Sequence, residues 1–285
     1  MTEIQKAPDR IKVLENIKNN EQNGLFNKDV EPDAPSKELL PHQIDYLRKN
    51  PINKLKAKHA LWVAHKFIKK LEKNNLFKIS EIVGIENYNS LQTGAIITCN
   101  HFNPLDSFAM ELLFESTNHF KHKKHYRIIK EANYTTFPGF YGYLMKNCNT
   151  LPLSSNRKTM EKFITSVNTL LQKGNFVLIY PEESMWWNYR KPRPLQSGAF
   201  RFAAKNNVPV LPVFVTMTDT DVLGEDGFPI QAYKIHVSKP IFPTQDKPLK
   251  ESIEEMKNEN FKVWKNIYEE EYKTPLVYET LKTKE

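Results

Sequence analysis

Between residues 53 and 73 the chain reads NKLKAKHALWVAHKFIKKLEK. Ala57, Ala60, Leu61, Ala64, Phe67, Ile68 and Leu71 recur at helical spacing and form one apolar stripe, which predicts an amphipathic helix. Trp62 and Val63 fall off that stripe, among Lys66, Lys69, Lys70 and Lys73. Upstream, Ile11, Leu14 and Ile17 predict a shorter helix. Glu31-Pro32-Asp33-Ala34-Pro35-Ser36 then reads as an extended linker, because proline disfavours helix at itself and at the residue before it. From about residue 80 the texture changes. Short apolar runs at 94–100, 126–129, 176–180, 208–216 and 233–237 have strand length. They alternate with helical patterns at 106–115, 160–171 (closed by Gly174), 199–205 and 250–272. Strands alternating with helices imply an α/β fold, a mostly parallel sheet flanked by helices, with an N-terminal helical segment. The change of texture divides the chain into 1–79 and 80–285.

Composition narrows the class. Of 285 residues, 40% are hydrophobic and 12% aromatic, too many for a disordered chain. No apolar run approaches the roughly 20 residues that span a bilayer. The N-terminus, MTEIQKAPDR, has no apolar core of a signal peptide. Two cysteines cannot build a disulfide framework, so a reducing, cytoplasmic setting is expected. Neither GxGxxG nor GxxxxGK[ST] occurs, which excludes the common nucleotide loops. The net charge is +8, and the segment from Arg48 to Lys78 alone carries ten Lys/Arg against Glu72. A basic helix with Trp62 on its polar face fits an anionic membrane surface, where each Lys contributes about 1 kcal/mol. It also fits a solvated face with Trp62 covered by another element. Nucleic-acid binding is not expected, because Trp62 is the only stacking aromatic in the basic patch.

Candidate chemistry lies at Asn100-His101-Phe102-Asn103-Pro104-Leu105-Asp106, where a strand ends and a helix begins. Open α/β sheets bind ligands beyond such strand ends. A tight turn folds the Asp106 carboxylate back onto His101. That would fix the imidazole tautomer and raise the basicity of its other nitrogen, as a general base requires. Alone, the pair also fits an aspartate at a helix start beside a polar histidine. Cys99, two residues earlier, reads as a small buried residue rather than a nucleophile. His119, His122 and His125 stand among lysines without a carboxylate and read as a solvated basic loop, not a metal site. Trp186, Trp187 and Tyr189 read as loop aromatics packed on the core, or as the wall of an acyl-chain site.

Taken in order, the pieces resemble the glycerophospholipid acyltransferase family, the 1-acylglycerol-3-phosphate acyltransferases among them. NHFNPLD matches its NHxxxxD motif. Pro181-Glu182-Glu183-Ser184-Met185 stands where the family has a Pro-Glu-Gly-Thr-Arg block. Gly198-Ala199-Phe200, the VPVLPV stretch from Val208 to Val213, and Arg127 to Glu131 are similar to further family segments. The resemblance covers roughly residues 80–240, makes 80–285 an acyltransferase domain, and puts its motif-bearing core at about 94–218. It implies acyl transfer from acyl-CoA or acyl-carrier protein to a lysophospholipid hydroxyl. In that reading His101 is the base and Asp106 its partner, and there is no covalent intermediate. It further implies no metal, no tightly bound cofactor, and a peripheral position on the inner face of the membrane. Glu182, Arg157, Lys130, Arg190, Arg193 and Gly198 become candidates for substrate binding. The family's phosphate-binding arginines have no counterpart: their positions hold Ser155 and Met185. Arg157, Arg190, Lys191 and Arg193 are the nearby substitutes. The alternatives are an acceptor without phosphate, such as a glycan, or a non-catalytic lipid- or nucleic-acid-binding protein.

Overall fold

The computed structural model describes residues 5–280. Its strands are β1 (Lys78–Val83), β2 (Ala95–Thr98), β3 (His125–Ile129), β4 (Thr150–Pro152), β5 (Phe176–Ile179), β6 (Val210–Leu223) and β7 (Pro229–Val237). They form one sheet in the order β1-β7-β6-β2-β5-β3-β4. β2 lies parallel between β5 and β6, with Thr98 opposite Ile179 and Pro212. β3 pairs in parallel with β4 and β5, and β1 with β7, while β6 and β7 are antiparallel.

Side chains alternate along the central strands, so each strand feeds two cores. Ile97, Leu178, Leu211 and Val213 face α2 (Pro51–Lys73), α3 (Ile85–Asn89), α4 (Asp106–Glu115) and α6 (Gly139–Asn147). Ile96, Val177, Val210 and Phe214 face α7 (Arg157–Gln172), α8 (Gly198–Asn206) and α9 (Leu249–Tyr272). Burial on both faces is why the runs around β2 and β5 are apolar throughout instead of alternating. From α9, Asn260 accepts a hydrogen bond from Thr98 Oγ1 at 2.6 Å, which ties the last helix to the end of β2.

Pro51 starts α2 and the Asn50 side chain caps it. Ala57, Ala60, Ala64 and Ile68 are buried, and Leu61, Phe67 and Leu71 are half-buried. The expected apolar stripe is therefore the packed face. Trp62 is not covered: it is 54% exposed, with Lys66 Nζ 4.0 Å from its ring centroid. In α1 (Pro8–Gln22) the buried apolar residues are Val13 and Ile17, while Ile11 and Leu14 stay exposed. The stripe is rotated because α1 packs on Trp186 and Trp187 in a third, smaller core.

Residues 26–39 contain no regular element and run as a strap across the C-terminal ends of the parallel strands. Beyond β5, Arg193 donates to the Phe26 carbonyl and Trp186 Nε1 to the Lys28 carbonyl, both at 2.8 Å. Beyond β3, Lys130 reaches Asp29 and Asp33, and Glu131 accepts from the Leu39 N–H. α5 (Glu131–Thr135) begins at that last contact.

Candidate active site

β2 ends at Thr98 and the chain turns through residues 99–105 into α4. Asn100 anchors the turn from inside. Its side chain donates to the Val215 carbonyl (3.0 Å) and accepts from the Val215 N–H (2.8 Å), as a neighbouring strand would. Asn103 Oδ1 accepts from the Leu105 N–H at 3.0 Å, an Asx turn that sets up the helix start. Asp106, the first residue of α4, is thereby brought back over His101.

His101 Nδ1 lies 2.6 Å from Asp106 Oδ2. Asp106 is buried, whereas the imidazole is 23% exposed. Nε2 has no hydrogen-bond partner among the described residues. The second Asp106 oxygen accepts from the Tyr180 hydroxyl at 2.8 Å. The Tyr180 ring also stacks on His101, with centroids 4.2 Å apart and planes at 17°. Burial, and then the Asp106 carboxylate, push the Tyr180 phenol well above its ordinary range, so it stays an O–H donor. Tyr180 is the residue that reasoning from the motifs missed. The signal was its place immediately after β5, which pairs with β2: the positions following Thr98 and Ile179 are neighbours.

Glu182 lies beneath this pair. Its Oε2 accepts from the His101 N–H (3.0 Å) and from Arg193 Nη2 (3.0 Å), and its Oε1 from the Arg193 N–H (2.8 Å). Both side chains of the Glu182–Arg193 pair are almost fully buried. Arg193 also donates to the Ser184 hydroxyl at 2.9 Å and to the Ser184 carbonyl. Glu182 and Arg193 therefore bond to the protein itself and hold the 182–193 loop against the His101 turn. The Trp186 N–H to the His101 carbonyl and the Asn188 N–H to the Phe102 carbonyl complete that seam.

The other candidates lie apart from this cluster. Arg157, at the start of α7, is 92% exposed and pairs with Glu161. Lys130 is held by Asp29 and Asp33, Arg190 by Asp219, and Lys191 by Glu21. Gly198 opens α8 at the surface. Trp186 and Trp187 are buried against α1, so of the two readings of these aromatics, core packing is the one realised. Cys99 is buried, and burial pushes its thiol well above its ordinary range, which disfavours a thiolate. The histidine run is not uniformly solvated. His122 is exposed, but His119 packs on Tyr88 and His125 is buried at the start of β3.

The site is thus a His–Asp pair at the C-terminal end of a central strand in a mostly parallel α/β sheet. Residues 79–216 match the family model described as Acyltransferase. That match takes in just under half of the chain. The chain is 28% identical over 138 residues to the 1-acyl-sn-glycerol-3-phosphate acyltransferase BAT2, chloroplastic, of Brassica napus. That match takes in 48% of this chain and 37% of the relative. The fold is similar to the crystal structure of the 1-acyl-sn-glycerophosphate (LPA) acyltransferase PlsC from Thermotoga maritima. The TM-score is 0.51 at 19% identity, over 81% of this chain and 86% of that one.

Proposed function

We propose that the protein transfers an acyl group from a thioester donor to the hydroxyl of a lysophospholipid, with His101 as general base. The observation that carries this reading is the 2.6 Å contact of Asp106 with His101 Nδ1, which leaves Nε2 facing outward. Nε2 takes the proton of the acceptor hydroxyl as its oxygen attacks the thioester carbonyl carbon. The carbonyl π pair moves onto oxygen. The tetrahedral species then collapses, the carbon–sulfur bond breaks, and the leaving thiolate takes the proton from Nε2. The products are an ester and a free thiol. Asp106 and Tyr180 hold the ring and stabilise its transient charge. Glu182 and Arg193 position the turn and do not meet substrate in this reading. The His101 N–H, committed to Glu182, does not stabilise the oxyanion. The donor is acyl-CoA or acyl-carrier protein.

No helix among the described residues is long and apolar enough to cross a membrane. The proposed route to lipid is peripheral, through the exposed face of α2. Lys54, Lys58, Lys66, Lys69, Lys70 and Lys73 surround Trp62 there. The exposed aromatics Phe140 and Tyr141 of α6 continue the surface; they pack on the half-buried Phe67, which meets the buried Phe108 in the first turns of α4, beside the His–Asp pair.

A second reading keeps the reaction and changes the acceptor to one without phosphate. It is favoured by the pairing of every candidate cation: Arg157, Lys130, Arg190, Lys191 and Arg193 each have a carboxylate partner. Labelled acyl-CoA and acyl-carrier protein, offered to acceptors with and without phosphate, separate the two. Failure to transfer to any hydroxyl with either donor overturns both.

A further inference from the structure

The chain also contains a cationic cavity that the His–Asp chemistry does not use. It measures about 290 Å³ and lies between α2, α4 and the loop before β3. His125, which begins β3, lines it. Because β3 runs parallel to β2 through β5, this is the end of the sheet opposite His101. Arg48, Lys54, Lys58, Lys121 and Lys124 line it as well. The one acid in the lining, Glu111, is taken by the buried Arg127 guanidinium. The walls therefore have a large positive excess.

Two buried groups in this cavity want a ligand. Arg48 is only 6% exposed, yet its guanidinium meets backbone carbonyls (Lys146 at 3.2 Å, Asn147 at 3.3 Å) and has no carboxylate partner among the described residues. A buried cation facing only dipoles is under-compensated. Its backbone is also held at φ +50°, a strained conformation for a residue with a side chain. The His125 side chain is fully buried and neither ring nitrogen has a hydrogen-bond partner; Nδ1 stands 3.6 Å from Glu111, too far for one. Burial outweighs Glu111 and pushes the His125 pKa down, so the ring is neutral and keeps one N–H to donate.

We propose that this cavity is a second anion site that takes a phosphomonoester with a flat or apolar body. Arg48 grips the phosphate with its planar fork and the lysines surround it. Phe120 at the rim, 46% exposed, and Phe114 behind it receive the body. Such a group occurs in the nucleotide part of a thioester carrier and in a lipid headgroup, so the test has an arm for each.

The experiment titrates the full chain with adenosine 3′,5′-bisphosphate, a short-chain lysophosphatidate and inorganic phosphate. Calorimetry gives affinity and the His125 ring signals in NMR give location. The comparison variant is Lys54→Gln, Lys58→Gln, Lys121→Gln, Lys124→Gln, all exposed positions that leave the fold intact. Binding of either phosphomonoester with a shift of the His125 signals, weakened about tenfold or more in the variant, supports the site. The tighter ligand names its source. No binding at millimolar concentration, binding that leaves His125 unmoved, or equal affinity in the variant overturns it. Acyl transfer is not the readout, so this site and the proposed reaction stand or fall separately.

Discussion

Asp106 divides its two oxygens between His101 and Tyr180, and the consequences differ for each. His101→Ala removes the proposed base and should lower turnover by about 10²–10⁴-fold with the melting curve unchanged, because the half-open ring is not core. Asp106→Asn should be slowed with the fold kept. Tyr180→Phe keeps the stacked ring and loses one hydrogen bond to a carboxylate. It should fall only about tenfold, read in kcat at saturating donor. Wild-type turnover by a folded His101→Ala protein would sink the mechanism. Glu182 is a matter of stability. Glu182→Ala leaves the Arg193 guanidinium buried without its charge partner and should cost about 3–5 kcal/mol in denaturant unfolding. Next to it, Glu183 stands at φ +66° where the family block has glycine. Glu183→Gly should therefore stabilise by about 1 kcal/mol, and a lower denaturant midpoint would refute that strain. His101 and Asp106 were legible because six residues of sequence contain both. Tyr180 and the buried Glu182–Arg193 pair were not, since strand adjacency and loop packing bring them together.

Among the elements, α2 was legible because 23 residues keep one stripe, and α4, α7 and α9 likewise have enough turns for a period to show. β1, β4 and α6 went unread. β4 is three residues long, β1 is short and largely exposed at the sheet edge, and α6 begins among glycine and proline. Their positions come from neighbouring strands and from α2, not from their own pattern. The charge on α2 has a direct test. Lys66→Gln, Lys69→Gln, Lys70→Gln, Lys73→Gln should reduce sedimentation with anionic vesicles and spare transfer to substrate dispersed in detergent. Wild-type binding should weaken with salt, as the Debye length shrinks below about 10 Å. Equal vesicle binding by variant and wild type at low salt would reduce this face to a solvated one.

Over the whole molecule, N-terminal residues enter each of the cores: Val13 and Ile17 in the smallest, Leu39 and Tyr46 on one face of the sheet, and Ala60 and Ile68 on the other. The parallel architecture could be read from alternating strands and helices, but this embrace could not, because residues 23–40 are polar and proline-rich. The strap's acids also bear on the acceptor. Asp29 and Asp33 occupy Lys130, so Asp29→Asn with Asp33→Asn frees that cation. Stability should change by no more than about 1 kcal/mol, since the pairs are half-exposed. With a phosphorylated acceptor, KM for lysophosphatidate should fall. An unchanged KM for it would place its phosphate elsewhere.

The strap's contacts also set an order of assembly. Lys28 and Phe26 meet residues 158 and 167 positions later in the chain, and Glu21 accepts from the Glu279 N–H, 258 positions away. A ribosome adding about 5–20 residues per second makes the first 40 residues long before it makes their docking surface. During synthesis the segment therefore trails free, and the His101 end of the sheet closes only when nearly the whole chain is available. Closing so large a loop adds little to the equilibrium penalty, because that penalty grows only with the logarithm of length, but it comes last. The strap should then be the first part to detach on mild destabilisation and the first to be nicked by protease, near Pro32 to Ser36. The Glu182–Arg193 seam under His101 would lose its Phe26 and Lys28 contacts at that same moment, so the native chain would lose catalytic geometry before it loses its fold.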